Sequence, residues 1–150
     1  MTSAADLPKP ASTVVLVRDA PGGAGNLEVL MVRRSAGMAF GASAWVFPGG
    51  KVDKQDLDER VISRLSAYPK AETDQGTLRA AAIREAFEES GILLARRKGG
   101  PAVVGDSDLD RWREGLNKHT LTLGDLLVEG DLELACDDLA HFSHWITPEF

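Results

Sequence analysis

Residues 76–92, GTLRAAAIREAFEESGI, decide the reading of this chain. On a helix Glu85, Glu88 and Glu89 lie at i, i+3 and i+4, one turn apart, and so share one face. Like charges at that spacing repel by a few tenths of a kcal/mol per pair, and carboxylates in a last turn also face the negative end of the helix dipole. A hard divalent cation such as Mg²⁺ or Mn²⁺ reverses both effects, because such ions take oxygen ligands, commonly a few carboxylates plus waters and the oxygens of a bound phosphate. Glu-rich helix faces also occur as plain solvated surface. The flanking residues argue for more: Leu78, Ala81 and Ala82 lie on the glutamate side, and Ala80, Ile83 and Phe87 lie opposite, so the helix reads as covered on two sides with its acidic face forming a cleft wall. Thr77 fits an N-cap and Gly91 a C′ stop.

Residues 84–92, REAFEESGI, resemble the second half of the Nudix box, R-E-U-x-E-E-x-G-U with U a bulky apolar residue, except that Ala86 is small. Upstream, residues 47–50, FPGG, are similar to that family's approach to the box, with Gly50 as its first glycine. The resemblance implies an α/β Nudix-like α/β/α sandwich with a mixed sheet between helices. It implies Glu85, Glu88 and Glu89 as ligands of Mg²⁺ or Mn²⁺, joined by the Gly50 carbonyl, and Arg84 as the brace of the loop-helix-loop, the four charged residues forming the catalytic set. The spacing departs from the family. Counted back from Arg84, the position of the box's other glutamate falls on Gly76, about twenty residues too far from Gly50. Residues 52–75 therefore read as an insertion, and Arg84 lacks its usual acidic partner unless Glu72 or Asp74 replaces it.

An interrupted box after residues 47–53, FPGGKVD, with Arg33-Arg34-Ser35 upstream, resembles the branch that includes coenzyme A diphosphatases. The fit is partial, since the later Arg and Gly of that branch's upstream signature fall on Ala39 and Ser43. The branch implies Arg33, Arg34, Phe47, Gly49 and Gly50 at the substrate, although a solvated strand end accounts equally well for the two arginines. The implied reaction is hydrolysis of a diphosphate linkage in a nucleoside diphosphate joined to another moiety, coenzyme A-like or a dinucleotide. The competing reading is a binding or regulatory module on the same fold, motivated by Gly76; the intact glutamate triplet favours the enzyme.

The 150 residues are 43% hydrophobic, enough for one packed domain over 12–150 behind a flexible tail at 1–11. A single cysteine, Cys136, excludes an internal disulfide and reads as a small buried hydrophobe. The N-terminus has no apolar signal region and no stretch approaches a membrane span of about 18 residues, which points to a cytoplasmic protein without membrane partners. The net charge of -6 is uneven, with 11 acidic and 3 basic residues in 101–150 against 12 and 14 before them. No basic patch with interleaved aromatics suggests nucleic acid. His119, His141 and His144 do not have zinc-site spacing.

In chain order, strands are predicted over 13–17 and 27–33, pairing as a hairpin. A loop over 36–44 leads to a short buried strand at 45–47. Inside the insertion the pattern predicts a helix over 56–68, stopped by Pro69. A strand at 92–95, a basic turn at 96–101, a helix capped by Ser107, a second helix over 123–129 and a strand at 141–148 complete the chain. The resembled fold continues past that last strand with another strand and a closing helix. The sequence is therefore expected to be a shortened form of a longer protein, lacking its C-terminal strand and helix, which either pairs its open edge with a second copy as a homodimer or is weakly stable alone.

Overall fold

The computed structural model describes residues 8–22, 25–37, 43–66 and 73–146. Ala39, Glu72, Pro69 and most of the expected N-terminal tail lie outside them. Six short strands precede the acidic helix: β1 (Ala11–Thr13), β2 (Val17–Asp19), β3 (Leu27–Val29), β4 (Val32–Arg33), β5 (Trp45–Val46) and β6 (Gly49–Lys51). A 3₁₀ turn at Lys54–Leu57 and the one-turn α1 (Glu59–Ile62) lead towards α2 (Thr73–Ser90). Then follow β7 (Ala95–Arg97), α3 (Leu109–Asn117), α4 (Leu123–Glu129), β8 (Leu132–Leu134) and a 3₁₀ turn at Cys136–Asp138. Strand pairs β1–β6, β2–β3, β4–β5 and β7–β8 are antiparallel, and a parallel bridge joins Leu65 to Leu134.

The α2 helix lies between two apolar clusters. Ala80, Ile83 and Phe87 face the larger one, with Trp112 and Leu116 of α3, Leu123, Leu126 and Leu127 of α4, and Leu132 and Leu134 of β8. Ala82 and Ala86 face Val14, with Leu16 and Leu139 packed alongside. The small side chain at 86, where the box carries a bulky one, is fully buried there, and small residues let a helix approach a strand closely. The Ser12 hydroxyl donates to the Leu78 carbonyl at 2.6 Å and ties β1 to the same helix.

Several boundaries differ from the sequence reading. The helix is already formed at Thr73, so Gly76 and Thr77 are interior and buried and Thr77 is not the N-cap. Gly76 is small because Leu65 packs on it: a Cβ there would sit 2.6 Å from the Leu65 Cδ1. The 13–17 strand divides: β1 pairs with β6, and β2 forms the expected hairpin with β3. The strand expected at 92–95 starts only at Ala95, carrying Arg96 and Arg97 from the basic turn into the pairing with β8. The helix of the insertion shrinks to one 3₁₀ and one α turn, with Val61 in the core. Asp108, not Ser107, precedes α3 and makes no side-chain cap. Helix α4 has the predicted bounds and begins with a Thr122–Asp125 capping box.

Trp45 and Phe47 are not buried: Trp45 is 64% exposed. Described residues 141–146 form no strand and are exposed. Cys136 is fully buried as expected, and burial pushes its thiol up to about 12. No helix among the described residues is long and apolar enough to cross a membrane.

Phe87 fills the larger cluster with no exposed surface. Phe87→Ala is expected to cost about 3–5 kcal/mol, the range for truncating a buried aromatic, read as a lower urea midpoint at unchanged slope.

Candidate functional site

The site is assembled where the last turns of α2 pass β6. Strand pairing sets which groups of β6 face the helix. Val14 N–H donates to the Pro48 carbonyl and Val52 N–H to the Pro10 carbonyl, each at 2.9–3.0 Å, so the antiparallel alternation turns the polar groups of Gly50 towards Ser12 on β1. The groups left pointing at α2 are the Gly49 N–H, which donates to Glu89 Oε2 at 3.2 Å, and the Lys51 carbonyl, which accepts from Arg84 Nη2 at 3.0 Å. The register thus argues against the Gly50 carbonyl as a metal ligand. What Gly50 contributes is space, because a Cβ would lie 2.4 Å from Glu85 Oε1. At Gly49 a Cβ would meet the Ser12 carbonyl oxygen at the same distance.

Arg84 is the hub. Its Nε and Nη2 donate to the two oxygens of Asp56 at 2.8 and 3.1 Å, in bidentate geometry with a fully buried carboxylate. Its Nη1 donates to Glu85 Oε1 at 3.0 Å and to both oxygens of Glu88 at 3.2 and 3.3 Å. Burial disfavours the guanidinium charge, but Asp56, Glu85 and Glu88 outweigh it, so its pKa rises above the ordinary value.

Sequence reading missed Asp56. Counting back from Arg84 put the acid at Gly76, whereas counting forward from Gly50, five residues intervene and the next is Asp56. The extra residues therefore follow Asp56 rather than beginning at 52. Asp74, the other candidate among the described residues, is exposed. A second missed residue answers the dipole problem: Arg113 of α3 donates to the carbonyls of Glu88 and Glu89 at 3.0 and 2.9 Å, placing a cation on the C-terminus of α2. Gly91, with φ +80°, supplies the expected C′ stop.

Glu85 and Glu88 are mostly covered, and Glu89 lies at the open rim. Burial is the main cause raising the pKa of Glu88, with Arg84 opposing it. Burial likewise raises Glu89, opposed by the Gly49 N–H and the charge of Arg34, while Glu85 adds repulsion to both. Hard oxygen donors held under mutual repulsion suit a divalent ion. Arg84 Nη1 lies between Glu85 and Glu88, and no three such side chains among the described residues converge as a finished ligand set. The chemistry of the donors fits a metal; closing on it requires the carboxylates to turn from Arg84.

The expected substrate residues separate. Arg34 is half-buried and its charge reaches Glu89. Arg33 is exposed and pairs across the sheet with Trp45, and as an adjacent strand residue it projects to the opposite face. Phe47 is 39% exposed, and Gly49 and Gly50 border the glutamates directly.

An acidic helix braced on a glycine strand by a buried Arg–Asp pair, between two apolar layers, defines a scaffold of the α/β class. Residues 8–149 match the NUDIX domain model, and the chain belongs to the Nudix family. It is 28% identical over 186 aligned positions to the acyl-coenzyme A diphosphatase NUDT19 of Gallus gallus, covering 92% of this chain and 49% of that protein. The Xenopus laevis protein of the same description is 29% identical, covering 81% and 42%. The chain thus spans about half the length of the curated relatives it matches. The crystal structure of a NUDIX hydrolase from Alicyclobacillus acidocaldarius superposes with a TM-score of 0.67 at 27% identity, over 85% of this chain and 57% of that one, in keeping with the Nudix α/β/α sandwich.

Two measurements check this geometry. Asp56→Ala strands a buried guanidinium and is expected to cost about 3–5 kcal/mol, whereas Asp74→Ala is expected to be near neutral. A carboxylate whose folded pKa is raised above its ordinary 4.5 favours folding fully below that value and loses the contribution as pH rises through the folded pKa. Glu89→Gln is therefore expected to raise the melting temperature of the metal-free protein at neutral pH and to leave it unchanged below the carboxylate range; a neutral-pH decrease would contradict the sign.

Proposed function

We propose that the protein hydrolyses a diphosphate linkage in a nucleoside diphosphate joined to another moiety, with a coenzyme A derivative as the leading substrate class. The observation that carries this is the triplet Glu85, Glu88 and Glu89, bordered by Gly49 and Gly50 and braced by Arg84. The coenzyme A assignment rests on the description of the two curated relatives. Nudix hydrolases use divalent metals, and here Glu85, Glu88 and Glu89 would hold Mg²⁺ or Mn²⁺. When bound, such an ion supplies positive charge that polarises phosphoryl oxygens and acidifies a water.

The chain's own groups do the rest. Before an ion binds, Arg84 holds Glu85 and Glu88 in place and shares their charge. Gly50 leaves room for the Glu85 carboxylate against the strand, and the Gly49 N–H holds Glu89. Arg34 sets a cation beside Glu89 at the rim, suited to the substrate's negative charge. One of the glutamates, or an acidic residue elsewhere, accepts the proton of the attacking water. Pairing with a second copy remains a further proposal, which sedimentation decides.

The test is turnover against coenzyme A, acyl-coenzyme A and a panel of dinucleotides, with each metal and with chelator. Glu88→Gln is expected to lower turnover by roughly two orders of magnitude or more at an unchanged fold, the scale of losing a group that acts at the reacting centre. Equal metal-dependent rates for variant and parent would overturn the assignment. Folded protein that binds these compounds without cleaving any of them would favour the binding-module reading.

A further inference from the structure

We propose that Gln55 is a positioning residue: through its hydrogen bond to the backbone of α4 it holds Asp56 in register with Arg84, and so sets the placement of Glu85 and Glu88. The proposal rests on the hydrolase reading above for its activity arm only.

Asp56 sits in a single 3₁₀ turn, Lys54–Leu57, and one isolated turn has little stability of its own. Its local support is a capping box. Asp53 N–H donates to Asp56 Oδ2 at 2.8 Å, and Gln55 N–H donates to Asp53 Oδ1 at 3.0 Å. Those bonds shape the turn but do not locate it relative to α2. Arg84 requires location, because both Asp56 oxygens must meet two fixed N–H directions of one guanidinium.

Location comes from α4, 68 residues along the chain. Gln55 Oε1 accepts the N–H of Leu123, the first residue of that helix, at 2.9 Å. Leu123 is fully buried in the larger cluster beside Phe87 and Ile83 of α2, so the anchor is rigid with respect to the acidic helix. A second link runs from Arg60, which donates to Asp58 at 2.7 Å and to Asp125 at 2.5 Å. Arg60 and Asp125 are nearly half exposed, so solvent and salt screen this pair. The Gln55 bond is partly buried, neutral, and adjacent in sequence to Asp56. Relay through the brace is therefore assigned to Gln55, with Arg60 as a support.

The experiment uses the 150-residue chain with Gln55→Ala, Gln55→Glu and Asp56→Asn, read by turnover and by the melting temperature over a titration with Mn²⁺ or Mg²⁺. Gln55→Ala is expected to lower kcat roughly three- to tenfold with KM little changed. The metal concentration for half of the thermal shift is expected to rise by a similar factor, below the ten- to hundredfold typical of losing a group that touches a metal ligand. Gln55→Glu keeps the acceptor and is expected to restore both readouts. On an Asp56→Asn background Gln55→Ala is expected to add nothing, since both act through one link. Unchanged kcat and metal titration in Gln55→Ala, whatever its melting temperature, would overturn the proposal, as would full additivity with Asp56→Asn. Should the parent cleave no diphosphate, the hydrolase reading fails alone and the metal titration still decides the role of Gln55. A parent with neither turnover nor a metal-induced shift overturns both.

Discussion

The bidentate pair between Arg84 and Asp56 is the interaction on which the rest of the site depends. Removing both charges from water is expensive, and the mutual attraction repays it only when the remaining donors and acceptors are also satisfied. Here they are. The guanidinium directs bonds to Asp56, to the Lys51 carbonyl, to Glu85 and to Glu88, while Asp56 accepts a further backbone bond from Asp53. A lysine, with one rotatable ammonium, could not hold four such partners in fixed directions. One side chain thereby welds the strand, the 3₁₀ turn and the acidic face into a single piece.

That piece is stiff on three sides and adaptable on the fourth. Large residues of α2 lock it against α3 and α4, and its alanines let it lie close to β1 and β6. Gly50 of β6 keeps a side chain out from between the strand and Glu85, and Arg113 satisfies the terminal carbonyls of the helix. Freedom is left where the glutamate side chains end, at Glu85, Glu88 and Glu89, whose oxygens can exchange Arg84 or the Gly49 N–H for another positive partner. A fixed backbone thus carries a few movable carboxylates.

How much of this the residues disclose on their own varies with the range of the interaction. The acidic triplet, its two covered flanks, the Gly91 stop, the β2–β3 hairpin and α4 are local patterns, and they were legible. Asp56 was not, because a box interrupted by extra residues can be counted from either end, and only the fold says which end keeps the register. The anchor at Gln55 and the cation at Arg113 bridge 68 and 25 residues respectively, and nothing in their local sequence marks them. Trp45-Val46-Phe47 failed in another way. A run of three apolar residues in a short strand looks the same whether one face or both are covered, and here Trp45 and Phe47 are exposed.

Cys136 closes the chain's larger core, fully buried, with its thiol pushed up to about 12 by the loss of water around it. It is also the molecule's only sulfhydryl. Nucleophilic attack needs the thiolate, so in the native state this group is doubly silent, sealed from reagents and protonated. Once the core opens it returns to ordinary thiol behaviour. The wild-type chain therefore carries a built-in clock for its own opening: the rate at which an alkylating reagent takes up this one atom counts excursions of the core, without any engineered label and without disturbing the acidic face.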